Sequence, residues 1–160
     1  MKSLKKGDMV PDFSLKDQNG NLFDISAIRG KKKMVIFFYP EDGSYGCTRE
    51  ACYFRDLHES FAETDAVIIG ISGQSVESHK AFAEQFKLKY PILSDEGDRI
   101  RKLFGVPSHF FGLMPGRVTY VADKDGRIAH IFSSQTQVER HVDEALKIVL
   151  LLKKIENGQT

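Results

Sequence analysis

At 160 residues the chain has the length of one ordinary domain, enough to bury a core without disulfide staples. It is 41% hydrophobic, carries 12 Phe and has a formal net charge of +1, which excludes a disordered chain and leaves no broad basic surface for nucleic acid. No apolar run is long enough to span a membrane, and the first thirty residues, with Asp8, Asp12, Asp17 and Asp24, lack the apolar core of a signal peptide. A cytoplasmic protein is expected, and a plastid transit peptide removed upstream would leave no trace in these residues.

The first elements are short. Asp12 to Leu15 and Asn21 to Asp24 read as extended segments around Asp17-Gln18-Asn19-Gly20, and Asn-Gly between apolar pieces is a strong hairpin signal. Lys31-Lys32-Lys33 reads as a solvated turn ahead of a strand. That strand, Met34 to Tyr39, is a continuous apolar run rich in β-branched and aromatic residues, the pattern of a strand buried on both faces. Pro40 to Gly46 breaks the run. From Cys47 the period becomes helical: Cys47, Ala51, Phe54, Leu57 or His58, and Phe61 recur on one face, which predicts a helix to about Glu63.

Ala66 to Ser72 is a second buried strand. Ser75 is placed to cap a helix whose stripe is Val76, Phe82, Ala83 and Phe86. Pro91 to Leu93 reads as a short strand and Arg99 to Phe104 as a short helix. Arg117 to Ala122 and Arg127 to Phe132 flank Asp123-Lys124-Asp125-Gly126, a second hairpin signal. The chain closes with an amphipathic helix from Val138 to about Lys154, its stripe at Val138, Val142, Ala145, Val149 and Leu152. Strands alternating with helices imply a central sheet covered on both faces, and the late hairpin makes the sheet mixed. The expectation is a single domain over residues 1–160: an α/β, thioredoxin-like fold with an N-terminal β-hairpin.

Two cysteines in a chain that needs no staple point to redox or metal chemistry. Cys47 sits where a buried strand ends, a loop turns and a helix begins. The helix N-terminus offers partial positive charge and free N–H groups, and a nearby cation would add to both. In such settings a thiol pKa falls from ~8.5 to about 3.5–7.5, and the thiolate is the nucleophile. A small buried residue in the first helical turn accounts for Cys47 equally well from its position alone. Cys52 lies five residues on, which in an ideal helix puts the Cα atoms roughly 8–9 Å apart and about 140° around the axis. A disulfide needs less than about 7 Å. A permanent bridge is therefore incompatible with the intact helix, whereas a transient one requires its first turns to unwind.

Other chemistries find less support. A zinc site needs three or four ligands at suitable spacing, and His58, His79, His109, His130 and His141 supply no such pattern around two cysteines. His58 reads as a helix surface residue. Gly70-Ile71-Ser72-Gly73 does not match a nucleophile elbow, and Asp123 to Gly126 lacks the rest of a calcium loop.

The segment Phe37-Phe38-Tyr39-Pro40-Glu41-Asp42-Gly43-Ser44-Tyr45-Gly46-Cys47-Thr48-Arg49-Glu50-Ala51-Cys52 resembles the active-site region of peroxiredoxins. The cysteine spacing is similar to that of the group called peroxiredoxin Q or bacterioferritin comigratory protein. Met9-Val10-Pro11-Asp12-Phe13 resembles the family's opening, Pro115 to Val121 its later strand, and His141 to Leu146 the final helix of its plant and cyanobacterial branch, so nearly the whole chain is covered.

The resemblance implies a thiol peroxidase without a bound cofactor or metal. Cys47 would attack a hydroperoxide, Cys52 would resolve the sulfenic acid as a disulfide, and thioredoxin or a similar dithiol protein would reduce it. The family motif falls on Pro40, Ser44 and Cys47. Pro40 would shield the sulfur from water, and Ser44 would hydrogen-bond the sulfur or the peroxide. As an N-cap, Ser44 would use the same hydroxyl for about 1 kcal/mol of helix stability, so the two roles compete. Arg117 matches the family's active-site arginine. Glu50 falls on a position often acidic in the group, although a first-turn partner of the helix dipole explains it as well. Ser44-Tyr45 stands where the group commonly has Thr-Pro, which bears on rate and peroxide preference. The resemblance further implies a monomer or at most a weak dimer, with no nucleic-acid or membrane partner. Two other uses of the same residues stay open: a redox sensor or chaperone-like switch, and a thiol-disulfide oxidoreductase, which the lack of a C-x-x-C pair disfavours.

Overall fold

The computed structural model describes residues 3–109 and 114–158; the side chain of His109 lies outside that description. The N-terminal hairpin pairs β1 (Ser14–Lys16) with β2 (Leu22–Asp24). Asp17 builds its turn: Oδ1 accepts from the amides of Asn19 and Asn21, and Gly20 takes a φ of 82° that a β-carbon would oppose. β3 (Lys33–Phe38) is buried along its whole length. It runs parallel to β4 (Ala66–Ser72), which runs parallel to β5 (Ile92–Ser94). β6 (Ser108–His109) and β7 (Met114–Pro115) form a separate two-residue ladder that the sequence pattern did not predict. On the other side of β3 stands antiparallel β8 (Val118–Ala122), followed by β9 (Ile128–Ser133). The sheet order is β2-β1-β5-β4-β3-β8-β9, and the hairpin joins it through an antiparallel contact of β1 with β5.

Among the described residues, five α-helices cover this sheet: α1 (Tyr45–Asp56), α2 (His58–Glu63), α3 (Val76–Phe86), α4 (Arg99–Phe104) and α5 (Val138–Glu156). The alternation of β3 sorts them into two layers. Val35 and Phe37 point to the core made with Phe54, Phe61, Phe82, Val142 and Val149, from α1, α2, α3 and α5. Met34, Ile36 and Phe38 point to the opposite core, with Ile100 and Phe104 of α4 and with Val10, Phe13 and Ile25 of the N-terminal segment. This is the thioredoxin-like α/β arrangement expected from the pattern. No helix among the described residues is long and apolar enough to cross a membrane.

Three local expectations change. The helix expected from Cys47 to Glu63 begins at Tyr45, because Ser44 caps it, and it breaks at Leu57 (φ −100°, ψ 9°) into α1 and α2. The earlier start also moves Glu50 beyond the first turn, which removes the helix-dipole account of that residue. Lys33 is no part of a solvated turn. It opens β3 at 1% exposure, and its Nζ donates to both carboxylate oxygens of Glu156 at 3.0 and 2.8 Å.

Candidate active site

β3 is the strand at which parallel pairing gives way to antiparallel pairing. Its C-terminal end delivers the chain to the sheet edge, and residues 39–44 turn it into α1. Ser44 (φ −69°, ψ 154°) is extended, as a cap must be. Its Oγ accepts from the Cys47 amide at 3.3 Å, and its carbonyl accepts from the Thr48 amide at 2.9 Å. The hydroxyl itself donates to the Glu41 carbonyl at 3.4 Å, so in this state Ser44 serves the cap rather than the sulfur. Cys47 is the third residue of α1 and only 1% exposed.

Arg117, one residue before β8, meets the sulfur from across the sheet edge. Its Nη2 donates to Cys47 Sγ at 3.3 Å, Nη1 to Glu50 Oε1 at 2.7 Å and Nε to the Gln135 carbonyl at 3.3 Å. Gly46 makes room for this approach, since a β-carbon there would stand 3.2 Å from Arg117 Nη2. Arg101 reaches the same region from α4, beneath the other face. Its Nη1 donates to the Gly116 carbonyl at 2.7 Å and its Nη2 to the Tyr39 carbonyl at 3.0 Å. It thereby ties the start of the Cys47 loop to the residue before Arg117.

A buried polar layer supports Arg117. Glu50 is fully buried, and burial pushes its carboxyl up to about 7 even though Arg117 opposes the shift. Its Oε2 has no hydrogen-bond partner among the described residues and faces His141 Nδ1 at 3.7 Å. His141 Nε2 lies 2.7 Å from the Ser134 carbonyl, which makes that nitrogen the donor, and Nδ1 then accepts from the Thr119 hydroxyl at 2.9 Å. Burial pulls the His141 imidazole down to about 4; the Ser134 carbonyl opposes this and the Arg117 charge adds to it.

Pro40, Ser44 and Arg117 also line a cleft of about 720 Å³, completed by Glu41, Met114, Gln135 and Thr136. Ser44 and Arg117, whose side chains hydrogen-bond Cys47, thus face this cleft. Cys52 stands apart, half-buried on α1, and both cysteines are free. Burial pushes the Cys52 thiol up, with Arg55 opposing. The five-residue offset on one continuous helix keeps the two thiols beyond bonding range while α1 is intact. No group of three or more His, Cys, Asp and Glu side chains among the described residues is arranged to hold a metal ion.

The structure therefore brings Pro40, Ser44, Cys47, Glu50 and Arg117 together and leaves Cys52 outside. Sequence reasoning missed Arg101 and His141. His141 was within reach, because it falls between Val138 and Val142 on the stripe of α5, where a polar residue needs a partner. Arg101 carried no such signal, since its partners are distant backbone carbonyls.

Residues 6–131 match the model of the AhpC/TSA family. The chain belongs to that family. Its relatives within the family include peroxiredoxins Q. The chloroplastic peroxiredoxin Q of Sedum lineare is 50% identical over 150 residues, covering 94% of this chain and 80% of the relative. That of Arabidopsis thaliana is 50% identical over 146 residues, covering 91% of this chain and 67% of the relative. Among solved structures, peroxidoxin BcpB from Mycobacterium tuberculosis is 38% identical with a TM-score of 0.86, over 92% of this chain and 97% of that one. Peroxiredoxin Q from Xanthomonas campestris is 26% identical with a TM-score of 0.81, over 89% and 92%. This peroxiredoxin is a thiol-dependent peroxidase with the two cysteines that a one-chain, two-cysteine cycle requires.

Proposed function

We propose that Cys47 is the thiol that attacks the peroxide and Cys52 the thiol that resolves it. The observation that carries this reading is the Arg117 guanidinium 3.3 Å from Cys47 Sγ at the start of α1, beside an open cleft. An anionic sulfur gains there from a fixed positive charge and from a helix N-terminus. Cys47 Sγ attacks one peroxide oxygen. The S–O bond forms as the O–O bond breaks, two electrons pass from sulfur to the peroxide, and the leaving oxygen takes a proton to become water or an alcohol. Arg117 is placed to stabilise the charge that develops on the departing oxygen. Glu50 holds Arg117 in place, Pro40 walls the cleft, and Ser44 fixes the helix start.

Cys52 then attacks the sulfenic sulfur; the S–S bond forms, the S–O bond breaks and water leaves. A dithiol protein such as thioredoxin reopens the disulfide by thiol exchange, taking its oxidation with it. The substrates are hydrogen peroxide and organic hydroperoxides. Pro40 and Met114 in the cleft wall suit an alkyl group, and a Xanthomonas campestris bacterioferritin comigratory protein, 26% identical, is described as reducing alkyl peroxides. The working unit is a single-domain monomer. The chloroplastic relatives make a plastid as apt a setting as the cytoplasm.

Two substitutions test the roles. Cys47→Ser should abolish peroxide consumption. Cys52→Ser should complete one turnover, measured as one equivalent of peroxide consumed per chain, and then stall with the dithiol reductant present. Full peroxidase activity in Cys47→Ser would sink the assignment.

A further inference from the structure

A second cluster of buried polar groups stands where the loop before α1 meets α3. Asp42 Oδ2 lies 2.6 Å from His79 Nδ1 and accepts from the Ser78 hydroxyl at 2.8 Å, while Oδ1 accepts from the Tyr39 hydroxyl at 2.6 Å. The Asp42 amide donates to Gln74 Oε1 at 2.7 Å. His79 is fully buried, and its Nε2 faces the Leu93 carbonyl at 3.1 Å. Both ring nitrogens face oxygen atoms, so the buried ring is held from two sides, by the Asp42 carboxylate and by the Leu93 carbonyl. Burial pushes the Asp42 carboxyl up, but the hydrogen bonds from His79 and Tyr39 outweigh it and hold that carboxyl below its ordinary range.

The next residue is a contrast. Gly43 has a φ of 82°, and nothing lies within 4 Å of the position a β-carbon would take. Beyond it, Ser44 holds the chain through hydrogen bonds of 3.3 and 3.4 Å. A firmly held segment and a lightly held one therefore meet at Gly43.

We propose that the Asp42–His79 pair is a fixed anchor for the Cys47 loop, and that Gly43 is the hinge about which the start of α1 swings when Cys52 closes on the oxidised sulfur. The inference rests on the roles given to Cys47 and Cys52 above. Breaking a buried side-chain cluster with several short hydrogen bonds costs more than uncapping a helix. Opening takes the cheaper route and stops at Gly43. His79 is thus a positioning residue. Through Asp42 it keeps the loop in place while Cys47 is away, and the helix end returns to a preformed seat once the disulfide is reduced.

Residue-by-residue amide exchange by NMR, on the reduced and the peroxide-oxidised chain, tests this. Residues 44–52 should lose protection on oxidation while the Asp42 amide and the His79 ring N–H signal persist. In kinetics, His79→Ala and Asp42→Asn, each checked for fold by near-ultraviolet circular dichroism, should lower kcat/KM for hydrogen peroxide about tenfold, equivalent to about 1.4 kcal/mol. Neither should slow disulfide formation. Glu156→Gln, a destabilising change far from the loop, should keep its kcat/KM, which separates positioning from lost stability. Loss of Asp42 protection on oxidation overturns the anchor, as does an unchanged kcat/KM in both folded variants. If mass spectrometry of the oxidised chain finds no Cys47–Cys52 disulfide, the roles of the two cysteines fall and the hinge falls with them.

Discussion

Glu50 and His141 are buried side by side, and burial drives their titrations in opposite directions. Glu50 rises from 4.5 to about 7, so the folded chain holds a proton that the unfolded chain has released. Its stabilising contribution is complete below pH 4.5 and is lost as pH rises through 7. His141 falls from 6.5 to about 4, so here the unfolded chain holds the extra proton. Its contribution is present above pH 6.5 and is lost as pH falls through 4. Between pH 4.5 and 6.5 the two trends oppose each other. Glu50→Gln should leave the His141 trend alone, and stability relative to the parent chain should then rise with pH at up to about 1.4 kcal/mol per unit. His141→Asn should give the reverse slope. Urea unfolding at half-unit pH steps measures both, and identical slopes in all three chains would contradict the pairing. The residues of this site differ in how far they could be read in advance. Cys47 could be raised as a candidate from its place between a buried strand and a helix, whereas Pro40 and Ser44, although within eight residues of it, came only through the family motif. Arg117 is 70 residues from Cys47, and only family resemblance picked it out. Asp42 and His79 are 37 residues apart, so neither advertises the other.

At the level of elements, α1 carries the tension of the design. It must be helical to seat Cys47 and must unwind to let Cys52 reach it. Its first residues suit that need: Tyr45, Gly46, Cys47 and Thr48 are all weak helix formers. Its middle is tied to α5 by the Arg49–Glu139 ion pair and by the Tyr53 hydroxyl, which donates to Asp143 at 2.5 Å. Tyr53→Phe removes one such tie, worth about 1 kcal/mol. Disulfide formation after a peroxide pulse should speed up by about twofold to fivefold, with the peroxide step itself unchanged. Rapid quenching followed by mass spectrometry reads both rates, and an unaltered disulfide rate would show that this tie does not resist opening. Periodicity located α1 correctly but not its ends. Its start is set by a capping hydroxyl rather than by an apolar stripe, and Leu57 interrupts the helix without breaking the stripe, since Phe61 stays on the buried face.

Across the whole molecule, the strand order follows from patterns of the kind read at the outset: continuous apolar runs for β3 and β4, and turn signals for the two hairpins. What those patterns could not carry was long-range polar pairing. Lys33 shows it most clearly, because a run of three lysines looks solvated until the end of α5, 123 residues on, is brought beside it. Glu156→Gln leaves a buried ammonium without its counter-charge and should cost about 2–4 kcal/mol. Thermal unfolding should report it, and a melting temperature equal to the parent's would show the pair to be dispensable.

The same contact decides how this protein can be handled in the laboratory. The last turn of α5 is not a spare tail, because it supplies the carboxylate that closes over the first residue of the central strand. A reporter or purification tag fused at the carboxyl end therefore belongs after Asn157, behind a linker that lets the turn finish. A fusion that trims the chain before Glu156 would strip the counter-charge from the buried lysine that opens the central strand.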